Sequence, residues 1–125
     1  MAFTEHQRKQ WALAQERSQR DDLQGTLEIL KKLVGEIPES AVLNATFANT
    51  LKAVNDIEPA IEHFQTAVKL APTSELYSLG LFHLFWSQGR QDEAFNEMRR
   101  FETISDSAEY KKIVAGIHAH WPRGA

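Results

Sequence analysis

The 125-residue chain contains no cysteine. This absence excludes a disulfide framework, a thiolate zinc site, an iron–sulfur cluster and a cysteine nucleophile. The chain also lacks an excess of positive charge, because 14 lysines and arginines stand against 17 aspartates and glutamates, for a formal net charge of −3. We therefore expect no nucleic-acid partner and no attraction to anionic membrane lipid.

Long hydrophobic runs are missing as well. The first ten residues hold no apolar stretch of signal-peptide length, and no later window reaches the run of about 18 apolar residues typical of a membrane span. The sequence accordingly predicts a cytoplasmic protein with no membrane partner.

Only four prolines and six glycines interrupt the chain, and its apolar residues recur at steps of three and four, which is typical of amphipathic helices.

Sequence signatures of catalysis and of cofactor binding are absent too. The chain has no phosphate-binding glycine loop, no dinucleotide-binding glycine pattern and no nucleophile elbow. His118 and His120 are two residues apart, which on a helix points their side chains about 200° away from each other. The sequence therefore predicts no enzyme, no cofactor and no metal site. The histidines that fall in no zinc-binding frame are His6, His63, His83, His118 and His120.

What the sequence does contain is a period of 34 residues, which separates Pro38 from Pro72. Small and apolar residues recur at the same offset without a gap, as in helical-repeat proteins. The period defines three repeat units, 7–40, 41–74 and 75–108, each with two helix-length segments and a polar break between them. The recurring residues are Thr26, Ala60 and Ala94; Leu30, Phe64 and Met98; Leu13, Phe47 and Leu81; Leu27, Ile61 and Phe95; Leu33, Ala67 and Phe101.

Residues that begin and end helices stand at the ends of these segments. We expect Asp22 and Asp56 to cap the second helices of the first two repeat units. Ser40 and Ser74 are expected to cap the first helices of the second and third units. Gly89 suits a helix C-terminus, because glycine adopts the left-handed conformation found there.

A seventh helix is predicted after the third repeat unit, over residues 107–120. Its start has the pattern of a capping box from Asp106 to Glu109. Such an element shields the stacking surface of the last repeat from water. Residues 122–125 are expected to fray. The apolar stripe of this helix comprises Tyr110, Ile113, Val114 and Ile117.

The period and its residues resemble the tetratricopeptide repeat. Unit 41–74 carries the resemblance most clearly, through Phe47, Ala48, Leu51, Ala60, Phe64, Ala67 and Pro72. Unit 75–108 adds Leu81, Phe85, Gly89, Asp92, Glu93 and Ala94. The resemblance implies an all-α fold, a right-handed α-solenoid of three helix-turn-helix repeats with the seventh helix as its cap, forming one domain over residues 4–121.

Three positions depart from the family pattern. Arg17 replaces an aromatic residue, Asp106 replaces the closing proline, and Phe82 replaces the small residue where the paired helices touch. We expect the ring of Phe82 either to push the helices apart or to fill space left elsewhere, since overpacking a core is costly.

In the tetratricopeptide family the first helices line a concave groove, so the resemblance implies partner binding there. The subgroup that grips chaperone C-termini uses cations and amides at five groove places, but four of those places in this chain, Trp11, Thr46, Leu76 and Gly80, offer neither. A partly aromatic groove instead favours an apolar peptide or a partner helix. The predicted binding residues are Arg8, Trp11, Gln15, Thr46, Asn49, Lys52, Leu76, Leu79, His83 and Trp86.

The sequence is compatible with two functions. The first is a non-enzymatic module that binds a protein or peptide through the first-helix groove, of which one version is a small bacterial effector chaperone or toxin-neutralising immunity protein. Trp86 is its expected anchor, unless the seventh helix folds back over it. The second is self-assembly, as a homodimer or larger scaffold, through the apolar third repeat unit.

Overall fold

A computed structural model of the chain describes the backbone of residues 3–120 and the side chains of residues 3–117. This part of the chain forms seven α-helices and no strand. No helix in it is long and apolar enough to span a membrane. The predicted frayed tail, 122–125, lies outside the described residues. The helices are α1 (Glu5–Gln19), α2 (Leu23–Glu36), α3 (Ala41–Ala53), α4 (Ile57–Leu70), α5 (Glu75–Ser87), α6 (Gln91–Glu102) and α7 (Ala108–His120).

Consecutive helices pack in pairs, α1 with α2, α3 with α4 and α5 with α6. The predicted all-α repeat fold is therefore confirmed. The backbone carries the period as well, because the turn inside each pair contains one residue of positive φ: Asp21 at 63°, Asn55 at 62° and Gly89 at 72°. Aspartate and asparagine tolerate this left-handed conformation better than other non-glycine residues, so all three turns are compatible with their sequences.

The hydrogen bonds of these turns recur in the same way. The backbone N–H of Asp22 donates to the Arg17 carbonyl at 2.9 Å, that of Asp56 to the Leu51 carbonyl at 2.9 Å, and that of Arg90 to the Phe85 carbonyl at 3.0 Å. Each bond satisfies a carbonyl that the end of the first helix would leave unpaired. The predicted polar breaks are thus the sites of the turns.

Two compact bodies make up the chain, an N-terminal body (Met1–Pro72) and a C-terminal body (Thr73–Ala125). The N-terminal body contains α1 to α4. Its core is built from apolar residues that recur on helical stripes, as predicted, although Leu13 is only half-buried. The most completely buried of its large side chains are Leu30, Leu33, Leu43, Ile61 and Phe64.

An aromatic cluster forms the core of the C-terminal body, which contains α5 to α7. Phe82 lies at its centre and is only 1% exposed. Its ring meets Tyr110 of α7 edge-on at 5.4 Å between centroids, Phe95 of α6 edge-on at 6.4 Å, and Trp86 in a stack at 5.9 Å. The phenyl ring therefore fills space bounded by three helices, which is the second of the two outcomes expected for it.

Three predicted caps are present. The Asp22 side chain accepts the Gly25 N–H at 3.0 Å, and the hydroxyls of Ser40 and Ser74 cap α3 and α5 in the same way. Arg17, the first departure from the family pattern, donates to the Asp22 carboxylate at 3.0 Å. The Gly25 N–H and then the Arg17 guanidinium hold the pKa of Asp22 below its usual value.

Two predicted caps are wrong in detail. Asp56 occupies the N-cap position of α4 but its side chain makes no capping bond, because the acceptor at this position needs an N–H three residues on and Pro59 has none. At α7 the Ser107 hydroxyl accepts the Tyr110 N–H at 3.0 Å, so Ser107 begins the helix instead of Asp106. Asp106 remains exposed one residue earlier.

Candidate partner-binding surfaces

Three of the predicted binding residues, Trp11, Gln15 and Thr46, line one cavity of about 370 Å³ in the N-terminal body. Trp11 and Gln15 come from α1 and Thr46 from α3, and we call this space the α1/α3 cavity. Buried Leu30 and Thr26 of α2 form its floor. The complete lining is Trp11, Ala14, Gln15, Ser18, Gln19, Thr26, Leu30, Thr46 and Thr50.

Neutral amides and hydroxyls supply the polarity of the α1/α3 cavity, and no charged side chain lines it. The Thr46 hydroxyl donates to the Val42 carbonyl at 2.7 Å and the Thr50 hydroxyl to the Thr46 carbonyl at 2.9 Å, so their oxygens remain as acceptors. Gln15 makes no hydrogen bond with any residue that the structure describes, which leaves its amide with donors and an acceptor. These groups match the needs of an uncharged peptide backbone.

The other predicted residues of α1 and α3 lie outside the lining of this cavity. Arg8 is exposed and donates to the Phe3 carbonyl at 2.9 Å, while Phe3 meets Trp11 edge-on at 6.4 Å. Asn49 and Lys52 are also exposed, and neither makes a side-chain hydrogen bond or ion pair with a described residue. Their part in binding stays a prediction.

The four predicted residues of α5 follow each other at steps of three and four along one helix. Leu76 is 75% exposed, which is unusual for a large apolar side chain. His83 is exposed, whereas Leu79 and Trp86 are half-buried. Trp86 stacks on Phe82 and meets Phe95 edge-on at 5.6 Å. Leu76 is therefore the more accessible of the two large apolar side chains, and Trp86 is also a member of the aromatic core.

A larger pocket, of about 570 Å³, lies between α2 and α4 and was not predicted from the sequence. We call it the α2/α4 pocket. Apolar side chains of three helices, α2, α3 and α4, form much of its wall. Its lining is Gln24, Leu27, Glu28, Lys31, Val34, Gly35, Phe47, Leu51, Asp56, Pro59 and His63.

The imidazole in this pocket is held in one orientation. The Asn44 amide nitrogen donates to the carbonyls of Pro38 at 3.0 Å and Ser40 at 2.9 Å, so its oxygen faces Nδ1 of His63 at 2.9 Å. Nδ1 must then carry a proton, since an amide oxygen only accepts. Burial lowers the pKa of His63, and the charge of Glu62 opposes this only in part. The ring is therefore neutral, and its Nδ1 proton points at the side-chain oxygen of Asn44.

Buried polar residues join the three helices of the C-terminal body. The Ser78 hydroxyl donates to the Glu97 carboxylate at 2.6 Å and lies 2.7 Å from the Tyr110 hydroxyl. Arg100 donates to both oxygens of Glu97, at 2.9 and 2.6 Å. Ser78 and Glu97 stand 34 residues after Asn44 and His63. The second and third repeat units thus carry a polar pair at the same two positions. This recurrence is the sequence signal for both buried pairs, and it is absent from the predictions made above.

Alkaline pH is expected to destabilise the C-terminal body through Tyr110. Burial raises the pKa of Tyr110 to about 12 from its ordinary 10.0. The unfolded chain therefore loses the phenol proton first, so stability present below pH 10 is lost as the pH rises towards 12. Urea unfolding across this range should show a loss of roughly 2–3 kcal/mol that the Tyr110→Phe variant lacks. Parallel pH profiles of the two proteins would contradict the assignment.

Among the described residues no cluster of three metal-ligating side chains exists. No family model and no curated protein sequence matches the chain. Similar solved structures do exist, and one is MamA from Desulfovibrio magneticus RS-1, with 19% identity and a TM-score of 0.73, the match covering 82% of this chain and 60% of that one. This chain therefore spans less than two thirds of that protein.

The type III secretion translocator chaperone SycD of Yersinia enterocolitica is similar as well. Its structure with a peptide of the translocator YopD has 12% identity and a TM-score of 0.75, and the match covers 94% of this chain and 90% of that one. A second SycD structure, described as an alternative dimer, has 12% identity, a TM-score of 0.73 and coverage of 94% and 89%. At these identities the similarity shows a shared helical-repeat fold.

Proposed function

We propose that this protein is a binding module that holds a peptide or partner protein on the faces of its first helices. The α1/α3 cavity carries the proposal, because it brings Trp11, Gln15 and Thr46 together around neutral hydrogen-bonding groups. An aromatic wall with amide and hydroxyl groups suits an uncharged, partly apolar segment. SycD, with the same fold, was crystallised with a peptide, which supports the proposal by analogy of fold.

We infer three tetratricopeptide repeats of 34 residues followed by a capping helix, in one domain. Support comes from the three positive-φ turns, Asp21, Asn55 and Gly89, and from their equivalent hydrogen bonds. The helix α7 begins at Ala108, one residue earlier than the period would place it.

A role as a cytoplasmic, non-enzymatic chaperone of one effector, or as an immunity protein of a toxin system, is the most specific form of the proposal. SycD is described as a translocator chaperone, which favours the first of the two. The neutral lining of the α1/α3 cavity carries no acid, base or nucleophile positioned for catalysis, and this supports a binding role.

Thr46→Lys is expected to weaken partner binding at the α1/α3 cavity, because it places a charge and extra volume in a neutral site. We expect at least a tenfold loss, equivalent to about 1.4 kcal/mol. The matched control is Gln65→Lys, which adds the same charge to an exposed position of α4 outside both pockets. Partners captured from host lysate would be identified by mass spectrometry, with helicity checked by circular dichroism. Equal recovery by both variants would exclude this cavity as the binding site.

Self-association is the second candidate, and the exposure of Leu76 favours it. An apolar side chain 75% exposed on α5 gains contacts if a second copy covers it. SycD, of the same fold, is also described as a dimer. Sedimentation velocity over a range of concentrations should then give a dimer mass that Leu76→Lys reduces to that of a monomer, while Ile104→Lys at another exposed apolar position does not. A wild-type monomer at every concentration would remove this candidate.

A further inference from the structure

The α2/α4 pocket has an apolar wall around an uncharged ring. Leu27, Val34 and Phe47 contribute aliphatic and aromatic surface, and the ring of His63 meets Phe47 edge-on at 4.8 Å. Because Asn44 fixes the imidazole and burial favours its neutral form, an apolar group can enter without stripping water from a buried charge. A volume of about 570 Å³ lies in the size range of pockets that enclose a bound group.

The charged side chains of this pocket have no ion-pair partner in the part of the chain that the structure describes. Glu28, Asp56 and Lys31 line it, and none of the three makes an ion pair or a side-chain hydrogen bond with a described residue. The Asp56 carboxylate makes no capping hydrogen bond, because Pro59 has no backbone N–H. Asp22, at the equivalent place of the first helix pair, is bound by Gly25 and Arg17. The lining therefore contains two carboxylates and one ammonium group that are not paired with a described residue.

We propose that the α2/α4 pocket is a docking site for a segment of a partner protein in which a large apolar side chain stands next to a lysine or arginine. The apolar residue enters between α2 and α4, and its basic neighbour meets the carboxylates of Glu28 and Asp56. Charge complementarity at the rim selects this occupant over an acidic or uncharged segment. The surface is separate from the α1/α3 cavity, so both can be occupied in one molecule.

The proposal is tested on the full chain by heteronuclear NMR titration with three short peptides, acetylated and amidated at their ends. The first contains Leu-Lys between glycines, the second Leu-Glu and the third Ala-Lys. We expect the Leu-Lys peptide to shift the signals of Leu27, Phe47 and the His63 ring at millimolar concentration. Its affinity should be about fivefold higher than that of the Leu-Glu peptide, and the Ala-Lys peptide should cause no saturable shift.

Variants at Gly35 separate filling of the pocket from loss of the fold. A Cβ at Gly35 would meet no atom within 4 Å, so Gly35→Ala is compatible with the helix. Circular dichroism of Gly35→Trp checks that the helix also accepts the larger side chain. Gly35→Trp should abolish the peptide shifts because its ring occupies the pocket, whereas Gly35→Ala should keep them. The double variant Glu28→Gln, Asp56→Asn should lose the preference for the Leu-Lys peptide and favour the Leu-Glu peptide, because it keeps the apolar wall and leaves Lys31 as the charged group of the lining.

Four results of the peptide titrations would overturn the proposal. These are no shift with any peptide at millimolar concentration, equal binding by Gly35→Trp and Gly35→Ala, shifts confined to the α1/α3 cavity, and a Leu-Lys preference that survives in the double variant. Shifts of the same signals on concentrating the protein without peptide would also overturn it, since the occupant would then be a second copy of the chain.

Discussion

Phe82→Ala is expected to lower the free energy of unfolding by about 3–5 kcal/mol, although a small residue is what the repeat pattern has at this position. The ring is 1% exposed and contacts aromatic residues of α5, α6 and α7. Alanine would leave a cavity at the point where the three helices meet, since Tyr110 and Phe95 are themselves held by other contacts. Urea unfolding followed by circular dichroism measures the change.

The reciprocal control lies in the N-terminal body. Ala48 precedes Phe82 by one repeat and is completely buried. Because no space for a ring exists there, Ala48→Phe should also destabilise the protein, by about 1–3 kcal/mol. A stabilising effect of Phe82→Ala would show that the ring strains the crossing of α5 and α6 and that the aromatic cluster contributes little.

Glu97→Ala is expected to cost about 3 kcal/mol, because it removes the acceptor shared by a buried hydroxyl and a guanidinium. Glu97 is 7% exposed, accepts from Ser78 and is paired with Arg100 at 2.6 Å. After its loss the Ser78 and Tyr110 hydroxyls keep only each other as hydrogen-bond partners among the described residues. The pKa of Arg100, which the hydrogen bonds to Glu97 raise, would return towards its ordinary value.

The chain provides a matched control for Glu97→Ala. Arg90 and Glu93 form an ion pair of the same spacing and the same 2.6 Å distance, but the Glu93 side chain is 44% exposed. Water can replace the lost contact there, so Glu93→Ala should cost less than about 1 kcal/mol. Thermal and urea unfolding of both variants give the comparison. Equal losses would mean that burial adds nothing to the Glu97 pair.

Local structure was predictable because it depends on residues that are close in sequence. The apolar stripes predicted the helices, and the polar breaks predicted the turns where Asp21, Asn55 and Gly89 adopt positive φ. Errors arose where two local signals compete. Asp56 has the residue type of a cap, but Pro59 removes its donor, and Ser107 caps α7 although Asp106 belongs to the better sequence motif.

The candidate surfaces were predictable only in part. The resemblance placed Trp11, Gln15 and Thr46 on one surface, and they line one cavity. It also predicted that Trp86 serves as an anchor, but the ring lies half inside the aromatic cluster that Phe82 creates. The α2/α4 pocket had no sequence signal, because a pocket is defined by the distance between helices and not by the residues of either helix alone.

By itself the sequence predicted the seven helices, the turns inside each pair and three of the residues that cap helices, because propensity, capping and periodicity act over a few residues. Only the tertiary structure decided which polar residues meet inside the protein and where space remains. The Ser78 hydroxyl meets Glu97 and Tyr110, which lie on two other helices. These residues are 19 and 32 positions away from Ser78 in sequence. Contacts over such separations depend on how the helices pack, which no local pattern specifies.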